Sequence, residues 1–166
     1  MIVSLTRSSV IVKTQMSALF RVWFRRLQIL RGQSSWGAKY DSITAEAIDN
    51  VLGLKGVGKG GMYKAVIGRR ATMHGREVGK QMGVNIWAAF VGSDENASVD
   101  GDFAVLESEL QDVLKALRRA DINIVAIHNH MIHEQPRYIF LHYWGRGSSV
   151  ELARGIRAAL DGLKSG

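Results

Sequence analysis

Two segments near the carboxyl end of the chain share one apolar pattern, which constrains the fold more than any other feature. Ser108 with Gln111 forms a capping-box pattern that predicts a helix to about Ala120, and Ser148 with Glu151 predicts a last helix. Helices with a single apolar stripe usually lie on one face of a sheet. The inward residues are Leu110, Val113, Leu114 and Leu117 in the first segment and Leu152, Ile156, Ala159, Leu160 and Leu163 in the second.

The rest of the chain after residue 40 supplies a first helix and the strands of that sheet. Asp41 to Leu52 has apolar residues on one face and ends at Gly53, so it predicts a short helix. The strand-like runs are 62–67, 85–91, 101–106, 122–127 and 138–144. We therefore expect an α+β fold with a mainly antiparallel sheet and helices on one face. Its second part runs β-α-β-β-α, a ferredoxin-like order.

The positive charge of the chain is confined to its amino-terminal part. Of the 22 lysines and arginines, seven fall in residues 1–40, where there is no acid, which leaves 15 to balance the 15 acids of residues 41–166. A phosphate-binding surface needs clustered positive charge on the domain itself. We therefore expect a basic extension over residues 1–40, a single neutral α+β domain over residues 41–166, and no nucleic-acid binding by that domain.

The sequence allows three interpretations of the role of residues 1–40. Met16 to Leu30 has the spacing of an amphipathic helix, and its longest uncharged stretch is shorter than the ~20 apolar residues that a bilayer span needs. The extension is a targeting or membrane-surface segment through residues 16–31, a helix that docks on the domain, or the product of a mis-assigned start with Met16 as another candidate. The arginines interrupt any signal-peptide core.

Four of the five histidines fall within residues 128–142, and this crowding is the candidate site. On a strand, side chains two residues apart share a face, so His128 and His130 point the same way. The chain then turns, and the next strand should pair antiparallel beside the first. His142 shares their face only if paired residue numbers add to an even number, as when His128 pairs with Phe140; a slip of one residue reverses its face.

With the even register, three imidazoles converge and leave a coordination position open, as in a catalytic metal site. The predicted metal ligands are His128, His130 and His142, and zinc is the predicted ion. Glu134 in the turn is then a fourth ligand or a general base, and metal-assisted hydrolysis is the simplest chemistry. The alternative is a non-catalytic ligand-binding or sensor module with structural histidines. The expected partner is a metal or a small molecule; an oligomeric state is not predicted.

Several short motifs resemble the LppY/LpqO family, bacterial proteins built around a domain of unknown function. The resemblance covers about residues 41–163, and it implies a site at the histidines without implying an activity. Family members usually carry an export signal and many carry the domain twice, whereas this chain has one copy, no clear signal peptide and no lipobox cysteine. The matching segments are 60–64, 87–90, 100–102, 127–131, 134–137, 140–145, 152–155 and 157–160.

Overall fold

The computed structural model describes residues 43–163, which contain three α-helices and nine strands. The helices are α1 (Ala45–Leu52), α2 (Glu107–Arg119) and α3 (Ser149–Asp161). A short 3-10 helix spans Lys80–Met82. The strands are β1 (Val57–Lys59), β2 (Met62–Gly68), β3 (Ala71–Met73), β4 (Arg76–Val78), β5 (Asn85–Gly92), β6 (Ala97–Val105), β7 (Asn123–Asn129), β8 (Glu134–Gln135) and β9 (Ile139–Gly147).

Six of the strands form one antiparallel sheet in the order β1-β2-β5-β6-β9-β7. Strand β9 lies between β6 and β7, so the unit β6-α2-β7-β9-α3 has the split connection of a ferredoxin-like arrangement. The predicted α+β fold with a mainly antiparallel sheet is therefore confirmed.

The three helices cover one face of this sheet because each presents an apolar stripe to it. Alternate residues of the central strands, among them Phe90, Phe103 and Tyr143, point to the helices and are fully buried with them. All nine stripe residues predicted for α2 and α3 belong to this core or pack against it; they are Leu110, Val113, Leu114, Leu117, Leu152, Ile156, Ala159, Leu160 and Leu163.

The two predicted helix caps have different outcomes. Ser148 is the N-cap of α3, and its hydroxyl oxygen accepts a hydrogen bond from the Glu151 amide at 3.2 Å, as predicted. The predicted cap at Ser108 is wrong, because the N-cap of α2 is Leu106, two residues earlier, and the helix begins at Glu107. There the Glu109 carboxylate accepts from the Leu106 amide at 2.7 Å, so a buried glutamate replaces the expected serine.

A second, three-stranded sheet in the order β4-β3-β8 was not predicted. Strand β8 has only two residues, which is too short for any periodicity to be visible in the sequence. A small apolar cluster joins this sheet to the face of the large sheet that the helices leave open. Its buried members are Ala71, Val78, Val84, Ala104, Tyr138 and Phe140.

The predictions for residues 1–40, including the amphipathic helix and the three roles considered for it, lie outside the described residues. Helix α1 was predicted from Asp41, which also lies outside them; its described part begins at Ala45 after Thr44. Within residues 43–163, no helix has the length and apolar character needed to cross a bilayer.

Candidate functional site

A single lateral row of paired residues crosses five strands on the open face of the large sheet. Val66 pairs with Trp87, Trp87 with Asp102, Asp102 with His142, and His142 with Ala126. Directly paired residues in antiparallel strands point to the same side of the sheet. The row therefore brings an acid, a histidine and an indole together from segments that are far apart in the sequence.

The register of β7 against β9 sets the direction of the histidines. His128 pairs with Phe140 and Ala126 with His142, so the paired numbers add to an even number around the site. Nearer the start of β7, Ile124 pairs with Tyr143, and Val125 forms a bulge between the two registers. His128 and His142 consequently share the open face, the condition that the sequence left undecided.

The imidazoles of His128 and His142 meet at their Nε2 atoms, which are 2.9 Å apart. The Nδ1 atom of His128 lies 3.1 Å from its neighbour's carbonyl oxygen, on Asn129, and a carbonyl only accepts, so Nδ1 carries the proton. In the neutral ring Nε2 of His128 is then a bare acceptor. If the same is true of His142, two lone pairs face each other, and this contact is favourable only with a cation between them.

Asp102 lies behind His142 and favours that state. Its Oδ2 atom is 3.8 Å from Nδ1 of His142, which is too far for a hydrogen bond but close enough for a negative charge on the carboxylate to attract a proton on Nδ1. The residue is only 6% exposed, and its Oδ1 atom is buried without a hydrogen-bond partner among residues 43–163. Burial raises the pKa of the Asp102 carboxyl, and the nearby His142, His128 and His130 oppose that shift.

His130 lies in the wall of the same cavity, but its ring forms no hydrogen bond with the ring of His128 or His142. Its ring centroid is 4.7 Å from that of Phe140. A Cβ atom built on Gly83 would lie 3.0 Å from Cε1 of His130, and Gly83 has φ of +85°. The left-handed backbone favours glycine at position 83, and a side chain there would also require the His130 imidazole to shift by a few tenths of an ångström.

The histidines open into a cavity of about 360 Å³ on this face. Its size is at the small end of the range for ligand pockets. Apart from the histidines, the ionisable side chains in its wall are two lysines and a single acid, Asp102. The lining residues are Lys64, Val66, Lys80, Gly83, Asn85, Trp87, Asp102, His128, His130, Phe140 and His142.

Glu134, predicted as the catalytic carboxylate, lies in the small sheet instead of the cavity wall. It pairs with Met73 across β8 and β3, it is 5% exposed, and neither of its carboxylate oxygens has a hydrogen-bond partner among the described residues. Residues 43–163 also contain no group of three His, Asp or Glu side chains already arranged to hold a metal ion. The geometry thus brings together two of the three predicted ligands, with His130 on the same wall.

Sequence reasoning did not single out Asp102, which was one of several acids near residue 100. Asp102 follows Ser98 and Asp100 at alternate, polar positions of β6, so the pattern of the strand did not distinguish it from an ordinary surface acid. Its partner could not be found without the β6–β9 register, because a shift of one residue would pair it with Tyr143 or Leu141.

The comparisons with known proteins agree with the extent of this domain. A family model described as Domain of Unknown Function (DUF1259) matches residues 46–162. Comparison with curated proteins and with solved structures finds no match. The matched range runs from α1 to the end of α3 and includes every residue that lines the cavity.

Proposed function

The chain belongs to this family of unknown function, and we propose from the geometry of its cavity that the domain binds a divalent transition metal, zinc above all, through its histidines. The observation that carries the proposal is the 2.9 Å contact between the Nε2 atoms of His128 and His142. The LppY/LpqO identity remains part of the proposal, as does the assignment of His130 as third ligand.

The surroundings of the two rings support a metal between them. Metal-binding histidines usually donate their other ring N–H to a carboxylate or to a backbone carbonyl. Here the Nδ1 atom of His128 faces the carbonyl oxygen of Asn129, and that of His142 faces Asp102. Both Nε2 atoms are consequently available as ligands on the same side.

The distance between the ligand atoms is close to what a metal needs. Two nitrogens about 2.05 Å from one ion and separated as here subtend roughly 90°, the angle between neighbouring ligands of a six-coordinate ion. A tetrahedral zinc site would hold them about 3.3 Å apart, so the rings would separate by about 0.4 Å. His128 is exposed and His142 half-buried, which leaves space for that movement.

Metal content of the untagged full-length protein is the direct test. We expect close to one zinc per chain, measured by elemental mass spectrometry, and its loss in His142→Ala and in His128→Ala. His74→Ala and His133→Ala are matched controls, because these two histidines face each other outside the cavity and should keep the zinc. Zinc that persists in His142→Ala would contradict the proposal.

A second function is favoured by the absence of a ready group of three ligands among residues 43–163. In it, one proton lies between the two Nε2 atoms, and the cavity binds a small molecule without any metal. Failure of zinc, nickel, cobalt and manganese to bind, together with a shared Nε2 proton in the imidazole nitrogen NMR spectrum, would support this second function over the first.

A further inference from the structure

The charge around the cavity does not match that of a site built only to hold a cation. Lys64 on β2 and Lys80 on the 3-10 helix contribute two ammonium groups to its wall. Within residues 43–163, neither lysine takes part in an ion pair. Asp102 is nearly buried behind His142, and the exposed Asp100, on the same face, is not a lining residue.

The two lysines are held at the cavity by their surroundings. The Nζ atom of Lys64 lies 4.0 Å from the centroid of the Trp87 ring, a cation–π contact that orients the ammonium group along the open face. The 3-10 helix that carries Lys80 is tied to β5, because the Asn85 side-chain amide donates to the Lys80 carbonyl oxygen at 3.2 Å.

We propose that this cavity binds a small organic anion, with its carboxylate or phosphate group between Lys64 and Lys80 and its flat or apolar body against Trp87 and Phe140. With neutral histidines, the two lysines and Asp102 give the cavity an excess of one positive charge, and a bound divalent metal increases it. About a dozen water molecules would fill this volume, so only a small molecule fits.

The proposal rests on the proposed function in one respect only, since a metal at His128 and His142 would strengthen the attraction of the anion. Isothermal titration with inorganic phosphate, phenyl phosphate and phenol separates the contributions of charge and ring. We expect phenyl phosphate to bind most tightly, phosphate more weakly and neutral phenol not at all. Each titration is run on protein with its metal content measured, with and without added zinc.

Variants of the lysines identify the site of the anion. Lys64→Gln and Lys80→Gln should each weaken phenyl phosphate binding by about tenfold, because each removes one charged contact. Lys59→Gln and Lys115→Gln, outside the cavity, should bind as the wild type does, and all four variants should keep their zinc. Equal binding of phenol and phenyl phosphate, or unchanged binding in both Lys64→Gln and Lys80→Gln, would overturn the inference. Anion binding without zinc uptake would overturn the metal site alone.

Discussion

Asp102 and His142 are direct partners across β6 and β9, and the carboxylate oxygen Oδ2 lies 3.8 Å from Nδ1 of the imidazole. The acid is nearly buried while the imidazole is half-buried, so the pair reaches from the sheet into the cavity. Nε2 of His142 then points at His128. Asp102 is in this arrangement a positioning residue that acts through His142.

We predict that Asp102→Asn weakens zinc binding by about 10- to 100-fold, the usual effect of removing the carboxylate behind a metal-binding histidine. The asparagine keeps the shape of the side chain but no longer stabilises the proton on Nδ1. The measurement is competition with a chromophoric chelator. Asp100→Asn is the control, because this acid is exposed and outside the cavity. Equal zinc affinities of Asp102→Asn and wild type would show that the carboxylate has no such role.

The elements that the sequence predicts well are those long enough for their pattern of apolar residues to repeat several times. Helices α2 and α3 each have 13 residues, enough for the stripe to repeat over several turns, and their packing on a sheet follows from it. Strand β8, with two residues, carries no period at all. Its pairing with β3 is a tertiary contact between distant segments, which local patterning does not encode.

The sequence predicted that two of the histidines share a face of the sheet, but it did not predict which face that is. The spacing of His128 and His130 shows that they share a side, but the side itself depends on the bulge at Val125. Without the extra residue, the pairing of Ile124 with Tyr143 would continue, and His128 would point towards the helices. A bulge of this kind is a property of two strands together, so one sequence read locally does not reveal it.

Glu109 and Arg69 form a buried ion pair, and we expect the stability of the fold to depend on it. The Glu109 carboxylate receives two hydrogen bonds from the Arg69 guanidinium, at 2.8 and 3.2 Å, and it is fully buried. Removing one partner of a buried pair leaves the other charge without compensation. We predict that Glu109→Ala lowers the free energy of unfolding by about 3–5 kcal/mol, measured by urea denaturation.

The control for that prediction is Glu107→Ala, in the same first turn of α2 but exposed. A first-turn acid at the surface contributes less than about 1 kcal/mol through the helix dipole. Similar losses of stability in the two variants would mean that the buried ion pair contributes no more to stability than an exposed acid does.

Asp94 should make stability depend on acid pH. Its carboxylate accepts hydrogen bonds from the Thr44 hydroxyl at 2.5 Å, the Thr44 amide at 2.9 Å and the Ser149 hydroxyl at 3.0 Å. These bonds, the Thr44 hydroxyl first, lower the pKa of Asp94 in the folded protein below its ordinary value of 3.8. Since the folded pKa is lowered, the stabilisation is complete above the ordinary pKa and is lost as the pH falls through the folded one.

We therefore predict that Asp94→Asn costs about 1 kcal/mol of unfolding free energy at pH 7. The difference from wild type should shrink as the pH falls below the ordinary pKa of aspartate. Thermal unfolding at a series of pH values measures both the loss of unfolding free energy at pH 7 and its decrease at acid pH. The neighbouring exposed acid provides the control variant, Glu95→Gln, which should behave as wild type throughout. A difference that is constant from pH 7 to strong acid would refute the assigned role.

Gly101 should be intolerant of a side chain because Tyr143 occupies the space beside it. A Cβ atom at this position would overlap both the Tyr143 hydroxyl and the Trp87 carbonyl oxygen. Those two groups are joined by a hydrogen bond of 3.0 Å, and Tyr143 is fully buried. We predict that Gly101→Ala destabilises the fold by about 1–3 kcal/mol, the usual cost of overpacking a core.

The same substitution should also disturb the cavity, since Gly101 precedes Asp102 and Tyr143 follows His142 in the chain. Tyr143→Phe alone removes one hydrogen bond and should cost about 0.5–1.5 kcal/mol. In the double variant the absent hydroxyl relieves part of the overlap. The double variant should therefore lose less unfolding free energy than the sum of the losses in the two single variants. Urea denaturation and zinc content are measured on the three variants. Additive losses would show that the added methyl group is accommodated without displacing Tyr143.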